Sequence, residues 1–312
     1  MIDSMGYSFT YPLFLLVGCR VGCYIHYPTI STDMLKKVEN RNQAFNNRPV
    51  IANNKILSQL KVYYYYLFSW AYGLCGRCST SVMTNSSWTK SHLDTLWKLD
   101  TTKIFPPCDV SKFTTLELKN QRISGLIISL AQFRPEKNHK LQIEAFSLLK
   151  GQLNRTDLKL IIAGGVRNEG DSDRADSLEK QAERMGLADC ITIERNVSFE
   201  RILELFESAE CGIHTMQDEH FGITCVDFQA SGVIPVGHNS AGPKMDIILS
   251  HKGQPTGFLA ETAEEFASQM REVLELSTTA RADIQQNMRS SCFRFSAEKF
   301  RSDFVGATKS LF

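Results

Sequence analysis

From Ile123 onward, short apolar runs alternate with longer amphipathic segments in a regular order. Apolar runs of this length predict strands, and segments in which apolar residues recur about every 3.6 residues predict helices. Alternation of the two over about 140 residues predicts a parallel, doubly wound α/β sheet. The predicted strands are Ile123–Leu130, Leu158–Ala163, Cys190–Glu194, Cys211–His214 and Val233–Val236. The predicted helices between and after them include Arg174–Met185, Ser198–Ala209, Phe221–Ala230, Thr262–Leu274 and Ala280–Met288.

Two carboxylates follow the predicted strand Cys211–His214. Glu219 lies just after this strand, and Asp227 lies eight positions further on, in the next predicted helix. Ligands of such sheets bind beyond the carboxyl ends of the strands. The Phe221-Gly222-Ile223 segment opens the helix, and backbone N–H groups at a helix start suit an anion. The pattern predicts a ligand with hydroxyls at both ends and a diphosphate between them, as in a nucleotide sugar.

Other strand ends carry groups of matching chemistry. Arg134 and Lys137 follow the first strand, where they can neutralise a diphosphate leaving group. Gly164 and Gly165 follow the second strand and allow the backbone to approach a nucleotide. The turn after Val233–Val236 offers N–H groups and polar side chains from Asn239, Ser240 and Lys244. Each group taken alone also fits a solvated loop or a plain turn.

The N-terminal part of the chain is aromatic and locally basic. Overall net charge is only +1, so no global field predicts nucleic-acid binding. Residues 34–62 hold six basic residues against Glu39, which suits a phosphate, an anionic lipid surface or a solvated face. The following segment, Val62–Leu74, fits an interfacial membrane segment or a buried core helix. His26 ends an apolar run and is either a core residue or a cleft residue.

Nine scattered cysteines favour reduced thiols over a disulfide framework. The lone Cys75-Gly-Arg-Cys78 pair lacks the second pair of a usual zinc site. Asp171-Ser172-Asp173 is predicted to lie in a polar loop, away from any strand end suited to a metal. We therefore expect no metal and no cofactor. No signal peptide and no spanning helix are evident.

The chain resembles a known enzyme family. The stretch EHFGITCVD resembles the E-x7-E element of retaining GT-B glycosyltransferases of family 4. Further segments, including YIHYPTISTDML, PPCDV, FRPEKNHKLQIEAF and HNSAGPKMDII, are similar to the GDP-mannose-dependent alpha-1,2-mannosyltransferases of the dolichol pathway (the asparagine-linked glycosylation protein 11 family). The resemblance implies an α/β GT-B fold of two Rossmann-like domains. It also implies retaining transfer of mannose to dolichol-diphosphate-linked Man3GlcNAc2 and Man4GlcNAc2, without a metal.

The resemblance also implies roles for single residues. Glu219 would bind the mannosyl hydroxyls, and the Phe221-Gly222-Ile223 backbone would meet the sugar and the phosphate. Asp227 would hold the ribose, in place of the family's second glutamate. Lys137 and Arg134 would balance the diphosphate, although the family's arginine corresponds to Gln132. His26 resembles a histidine of the acceptor domain that lies near the anomeric carbon.

The resemblance further implies a domain plan and a location. Residues 1–121 would form a partial acceptor and membrane-associated domain, 122–296 the GDP-mannose domain, and 297–312 a helix that crosses back. The family's membrane helix and its first strand–loop–helix have no counterpart here, so the first domain is expected to be incomplete. The protein would act on the cytosolic face of the endoplasmic reticulum membrane, touching it through residues 34–74. Its partners would be the dolichol-linked oligosaccharide and other mannosyltransferases of the pathway.

Two alternatives remain open from the sequence. One is a family-4 glycosyltransferase with a different donor or acceptor. The other is a non-catalytic partner that scaffolds a mannosyltransferase complex at the membrane.

Overall fold

A computed structural model describes residues 1–30, 55–118, 122–153 and 155–312, with the backbone alone for 55–58. The chain divides into two compact units, each built on its own sheet. The first unit holds Met1–Phe105 together with Phe300–Phe312, and the second holds Pro106–Lys299. Every strand pair described in either sheet is parallel. The predicted α/β fold with two parallel sheets is confirmed.

The second unit has a six-stranded sheet. Its strands are β5 (Leu126–Leu130), β6 (Lys159–Gly164), β7 (Ile191–Arg195), β8 (Cys211–His214), β9 (Ile234–His238) and β10 (Phe258–Ala260). Their order in space is β10-β9-β8-β5-β6-β7. The strand β5 therefore pairs with β6 on one side and with β8 on the other. This reversal of strand order is the switch point at which open α/β sheets bind ligands.

Helices accompany these strands. They are α4 (Val110–Thr114), α5 (His139–Leu153), α6 (Glu169–Arg184), α7 (Phe199–Ser208), α8 (Ile223–Ser231), α9 (Ala263–Glu275) and α10 (Thr278–Cys292). Helices α5 to α8 connect successive strands from β5 to β9, whereas α4 precedes β5 and α9 and α10 follow β10. Phe146 of α5 and Phe266 of α9 are fully buried in one core with Leu160 and Ile213 of the sheet. The predicted strand Ile123–Leu130 begins only at Leu126, as β5, because Gly125 takes a positive φ of 75° just before it.

One local prediction was wrong. The Asp171-Ser172-Asp173 stretch lies in the first turns of α6 rather than in a loop. Asn168 begins this helix, because its side chain accepts a hydrogen bond from the Asp171 backbone N–H. The Asp171 carboxylate turns back to accept from the Arg167 N–H and to pair with Arg174.

The first unit has a four-stranded sheet in the order β1-β2-β3-β4. Its strands are β1 (Ile2–Asp3), β2 (Gly22–Ile25), β3 (Ser81–Thr84) and β4 (Thr102–Lys103), and its helices are α1 (Tyr11–Leu16), α2 (Lys55–Gly76) and α3 (Ser87–Trp97). Tyr11, Tyr72 and Trp97 form a fully buried aromatic cluster. Helix α11 (Ala297–Thr308) begins in the second unit and ends in the first. Its Phe300 and Phe304 pack against Tyr24 of β2.

Helix α2 combines both sequence interpretations of Val62–Leu74. Tyr72 is buried, as a core helix requires, whereas a stripe on the same helix is exposed. This stripe, the exposed α2 stripe, consists of Leu60, Tyr63, Leu67, Trp70 and Leu74. Across the described residues, no helix is both long enough and apolar enough to span a membrane. The basic residues between 34 and 54 lie outside the described part of the chain.

The start of α9 offers a test of local stability. Thr262 accepts from the Glu265 N–H, and the Glu265 side chain accepts from the Thr262 N–H in return. We expect Thr262→Ala to lower the free energy of unfolding by about 1 kcal/mol, because the capping box loses one of its two bonds. Urea denaturation measures the change. Thr278→Ala, at an exposed residue of α10, is the control, and an equal loss in both variants would contradict the prediction.

Candidate functional site

The switch point of the second sheet brings two distant loops together. Residues 131–138 follow β5, and residues 215–222 follow β8. Lys137 from the first loop and Glu219 from the second form an ion pair, with 2.6 Å between Nζ and Oε2. Their side chains are only 20% and 15% exposed, respectively. A pair this shielded is screened less by salt than a surface pair.

Histidine 214 is a third member of this cluster. It is the last residue of β8, its side chain is 4% exposed, and its Nε2 lies 3.2 Å from Oε2 of Glu219. Burial alone would raise the pKa of the Glu219 carboxyl. The hydrogen bond and charge of His214, together with those of Lys137, outweigh that effect and hold the pKa well below its usual range. Glu219 is therefore a carboxylate throughout the physiological pH range.

The two oxygens of Glu219 differ in their surroundings. Both Lys137 and His214 contact Oε2. No described residue donates a hydrogen bond to Oε1. This oxygen is not among the fully buried polar atoms that lack a hydrogen-bond partner in the described chain, so it is accessible from outside. Glu219 thus has one anchored oxygen and one oxygen that can accept a hydrogen bond from a ligand hydroxyl.

The backbone around Glu219 is held from the neighbouring turn. The Gly242 N–H donates to the Glu219 carbonyl at 2.9 Å, and the Asp218 N–H donates to the Ser240 hydroxyl at 2.8 Å. A side chain at Gly242 would collide with the Phe221 backbone, so glycine is required there. Of the predicted ligand groups, the Ser240 side chain therefore has a partner within the protein.

Helix α8 starts beside this turn. Gly222 takes a positive φ of 104° as its N-cap residue, a conformation that suits glycine. Phe221 is buried against Phe295, with 5.4 Å between ring centroids, whereas Ile223 is half exposed at the first turn. The buried ring anchors the loop. The first N–H groups of a helix lack the usual partner four residues earlier, and here the Cys225 N–H donates to the carbonyl of the N-cap residue Gly222 at 2.9 Å.

A cavity of about 360 Å³ lies next to the ion pair. Lys137, Gly164 and Gly165 line it together with Thr224 of the first turn of α8. A side chain at Gly164 would collide with the Ala131 carbonyl, so the two backbone segments can approach only because this residue is glycine. The structure thus brings together three of the predicted residues and the start of α8 around one cavity.

Arg134 lies elsewhere. It lines a separate cavity of about 370 Å³ with Lys140 and Arg174, and its nearest acid is Glu136 at 3.9 Å. The short 3₁₀ turn Pro135–Lys137 separates it from the cavity lined by Lys137. The structure therefore does not group the two predicted diphosphate cations around one cavity.

The remaining predicted residues fall into two groups. Asn239 donates its side-chain N–H to Glu261 at 2.8 Å, and Lys244 is exposed in the π-helical turn Pro243–Ile247. In the first unit, His26 is exposed at the end of β2, with its ring 4.9 Å from that of Tyr24. An exposed position excludes the core interpretation of His26.

Asp227 lies half-buried on helix α8. Burial, and secondarily the nearby charge of Asp109, raises the pKa of its carboxyl from 3.8 to about 7. Near neutral pH it is therefore divided between an acid that donates a hydrogen bond and a carboxylate that only accepts. Glu219 and Asp227, which the sequence pattern treats as a pair, differ in protonation because only Glu219 has a cation and an imidazole beside it.

The sequence reasoning missed His214. The only signal was its place at the end of a predicted strand, and nothing in the pattern showed that it contacts Glu219. It also missed the link between the loops: the Gln142 side chain donates to the Thr215 hydroxyl, which donates to the Lys137 carbonyl at 2.8 Å. Within the described ranges, no cluster of three histidine, cysteine or acidic residues could hold a metal.

The raised pKa of Asp227 predicts a pH-dependent effect on stability. The Asp227 carboxyl ionises near pH 4 in the unfolded chain but only near pH 7 in the folded protein. Between these pH values the unfolded state is favoured more and more, so the unfolding free energy of the parent protein falls as the pH rises. We expect the unfolding free energy of Asp227→Asn, measured relative to the parent protein, to rise by roughly 2–3 kcal/mol between pH 5 and pH 8. Urea denaturation at both values tests this, with Asp173→Asn on exposed helix surface as control. An equal effect of Asp227→Asn at both values would contradict the prediction.

Comparisons with known proteins identify relatives. Mouse and human GDP-Man:Man(3)GlcNAc(2)-PP-Dol alpha-1,2-mannosyltransferases are 46% and 44% identical over 99% and 100% of the chain. The chain spans 65% of the length of each. Among solved structures, a glycosyltransferase from Rickettsia africae matches 98% of this chain and 94% of its own, with a TM-score of 0.66 and 16% identity. The N-terminal domain of Candida albicans trehalose-6-phosphate phosphatase matches 99% of this chain and 70% of its own, with a TM-score of 0.74 and 10% identity.

These structural matches support the fold alone. Two family descriptions match the sequence itself: "ALG11 mannosyltransferase N-terminus" over residues 1–97, and "Glycosyl transferases group 1" over residues 117–291. The second match covers more than half of the chain and contains the Lys137–Glu219 pair and its cavity. The chain belongs to the group 1 family of glycosyl transferases.

Proposed function

We propose that this protein transfers mannose from GDP-mannose, with retention, in alpha-1,2 linkage to dolichol-diphosphate-linked Man3GlcNAc2 and Man4GlcNAc2. The observation that carries the proposal is the Lys137–Glu219 pair, which sets a cation and a sugar-binding carboxylate at one switch point. The names of the mouse and human relatives give GDP-mannose as the donor, Man3GlcNAc2 on dolichol diphosphate as the acceptor and an alpha-1,2 linkage. Similarity over almost the whole chain, at 44–46% identity, favours this activity over another donor or acceptor.

The geometry supports a separate role for each group of the donor site. Lys137 stabilises the negative charge of the departing diphosphate, while Gly164 and Gly165 let the backbone approach it. Oε1 of Glu219 accepts a hydrogen bond from a mannosyl hydroxyl. The start of α8, at Phe221–Ile223, offers N–H groups to the sugar and the phosphate.

The outer residues complete the donor site. Asp227 holds the ribose. Three residues form the outer rim of the donor site: Asn239, Ser240 and Lys244. Arg134 acts at longer range, as part of the positive field beside the diphosphate. His26 serves the acceptor side. No step requires a metal, because positioning and electrostatic stabilisation carry the reaction.

A donor-binding experiment tests the proposal. We expect isothermal titration to show GDP-mannose binding, with UDP-glucose and UDP-N-acetylglucosamine binding at least about tenfold more weakly. We expect Lys137→Ala to lower mannose transfer by roughly 100-fold, the loss seen when one stabilising group of a transition state is removed. Lys180→Ala, which removes an exposed lysine of α6, should stay within about twofold of the parent protein. An unchanged rate in a folded Lys137→Ala protein, or equal binding of all donors, would contradict the proposal.

We further propose that the protein works at the cytosolic face of the endoplasmic reticulum membrane. The exposed α2 stripe supports this, since tyrosine and tryptophan favour the interface between water and lipid. The stripe follows helical spacing, so one face of the helix can lie in the interface plane. The acceptor is attached to a lipid, and an enzyme at the surface meets it there.

Vesicle flotation tests this surface. We expect a Leu67→Glu/Trp70→Glu protein to bind phosphatidylcholine–phosphatidylinositol vesicles about tenfold more weakly, because two charges would enter the lipid interface. Both side chains are at least 64% exposed, so the free energy of unfolding should change little. Met185→Glu in the second unit is the control. Equal flotation of all three proteins would rule out this surface.

A further inference from the structure

Oxygen Oε2 of Glu219 has two donors in the described structure. Lys137 Nζ lies 2.6 Å away and His214 Nε2 lies 3.2 Å away. Under the proposed function, Lys137 serves the diphosphate of the donor. The single positive charge of Lys137 would then be shared between the diphosphate and Glu219, which would weaken its hold on Glu219.

Removal of Lys137 would leave a largely buried carboxylate with one partner. A buried charge without a partner is costly, and it lowers the cost by protonation or by movement. Either response would spoil a sugar-binding carboxylate. His214 is the only other described side chain that contacts this oxygen.

We propose that His214 is a positioning residue, which keeps the Glu219 carboxylate charged and in place when Lys137 turns to the donor diphosphate. The proposal rests on the proposed roles of Lys137 and Glu219. It assigns the unliganded site a paired state, in which Lys137 and Glu219 satisfy each other until the donor arrives. His214 then makes the exchange of partners possible without a loss of geometry.

The placement of His214 suits this role. It ends β8, whose neighbour in the sheet is β5, so the rigid sheet sets its backbone position. The next residue, Thr215, is tied to the Lys137 carbonyl through its hydroxyl. The imidazole therefore stays where it is while the flexible Lys137 side chain exchanges partners.

In the described part of the chain, four charged or titratable groups face His214. They are Glu219, Lys137, His139 on α5 and His238 on β9. Burial first, then the charges of His214 and Lys137, lowers the pKa of His139 to about 4, so it is neutral at physiological pH. Burial likewise lowers the pKa of His238, so neither neighbour competes as a cation for Glu219.

Comparison of two ligands isolates the effect. GDP lacks mannose and reports on the diphosphate site, whereas GDP-mannose also reports on Glu219. We expect His214→Leu to leave GDP affinity within about twofold and to weaken GDP-mannose by roughly 10- to 100-fold, the range for a hydrogen bond to a charged group. His214→Gln, whose amide N–H can replace Nε2, should recover most of the loss. His251→Leu, a histidine outside the site, is the control.

The pH dependence provides a second readout. Without His214, the Glu219 carboxylate of the donor complex takes up a proton at higher pH. The acid limb of GDP-mannose binding should therefore move upward by about one pH unit in His214→Leu. A residue that only fills space would lower both affinities together and leave this limb in place.

The outcomes separate the two proposals. If the parent protein fails to bind GDP-mannose, or Glu219→Gln leaves GDP-mannose affinity unchanged, the proposed function fails. If Glu219→Gln weakens GDP-mannose binding while folded His214→Leu does not, the role of His214 is wrong. If His214→Leu does not fold, His214→Ala replaces it in the same comparison: weaker GDP-mannose binding with GDP affinity retained supports the role, whereas loss of both affinities together, or of neither, overturns it.

Discussion

The pairing of β8 beside β5 is the constraint on which the site depends. It places Lys137 and Glu219, which are 82 positions apart in the chain, within 2.6 Å of each other. Parallel strands expose their carboxyl ends at one edge, so a reversal of strand order opens a gap between neighbouring loops. Two charges can be withdrawn from water at this gap because each satisfies the other.

Hydrogen bonds to the backbone hold the two loops around the ion pair. Gly242 and Ser240 hold the backbone on either side of Glu219, and Thr215 holds that of Lys137. The ends of the two side chains are then the parts that can still exchange partners. A site built in this way keeps its ligand groups in position at little ordering cost when a ligand binds.

Five of the six strands of the second sheet were predicted to within three residues, because buried parallel strands are continuous apolar runs, and Cys211–His214 was predicted with its exact limits. The three-residue strand β10 was missed, because it is too short to form such a run and only its Ala260 is buried. Helix starts were less accurate. The α6 start depends on the Asn168 side chain, and the α8 start depends on a backbone conformation that only Gly222 takes easily. Arg134 shows a further limit: its place after a strand was clear, but a single 3₁₀ turn directs it to a different cavity from Lys137.

The sequence by itself determined the parallel α/β architecture, the family and the strand ends at which ligand groups collect. These properties follow from local periodicity and from motifs that are contiguous in the chain. Only the tertiary structure decided which of those groups meet. Contact between His214, Lys137 and Glu219 follows from strand order, and the different protonation of Glu219 and Asp227 follows from what surrounds each carboxyl after folding. Neither strand order nor the local environment of a side chain follows from the spacing of residues along the chain.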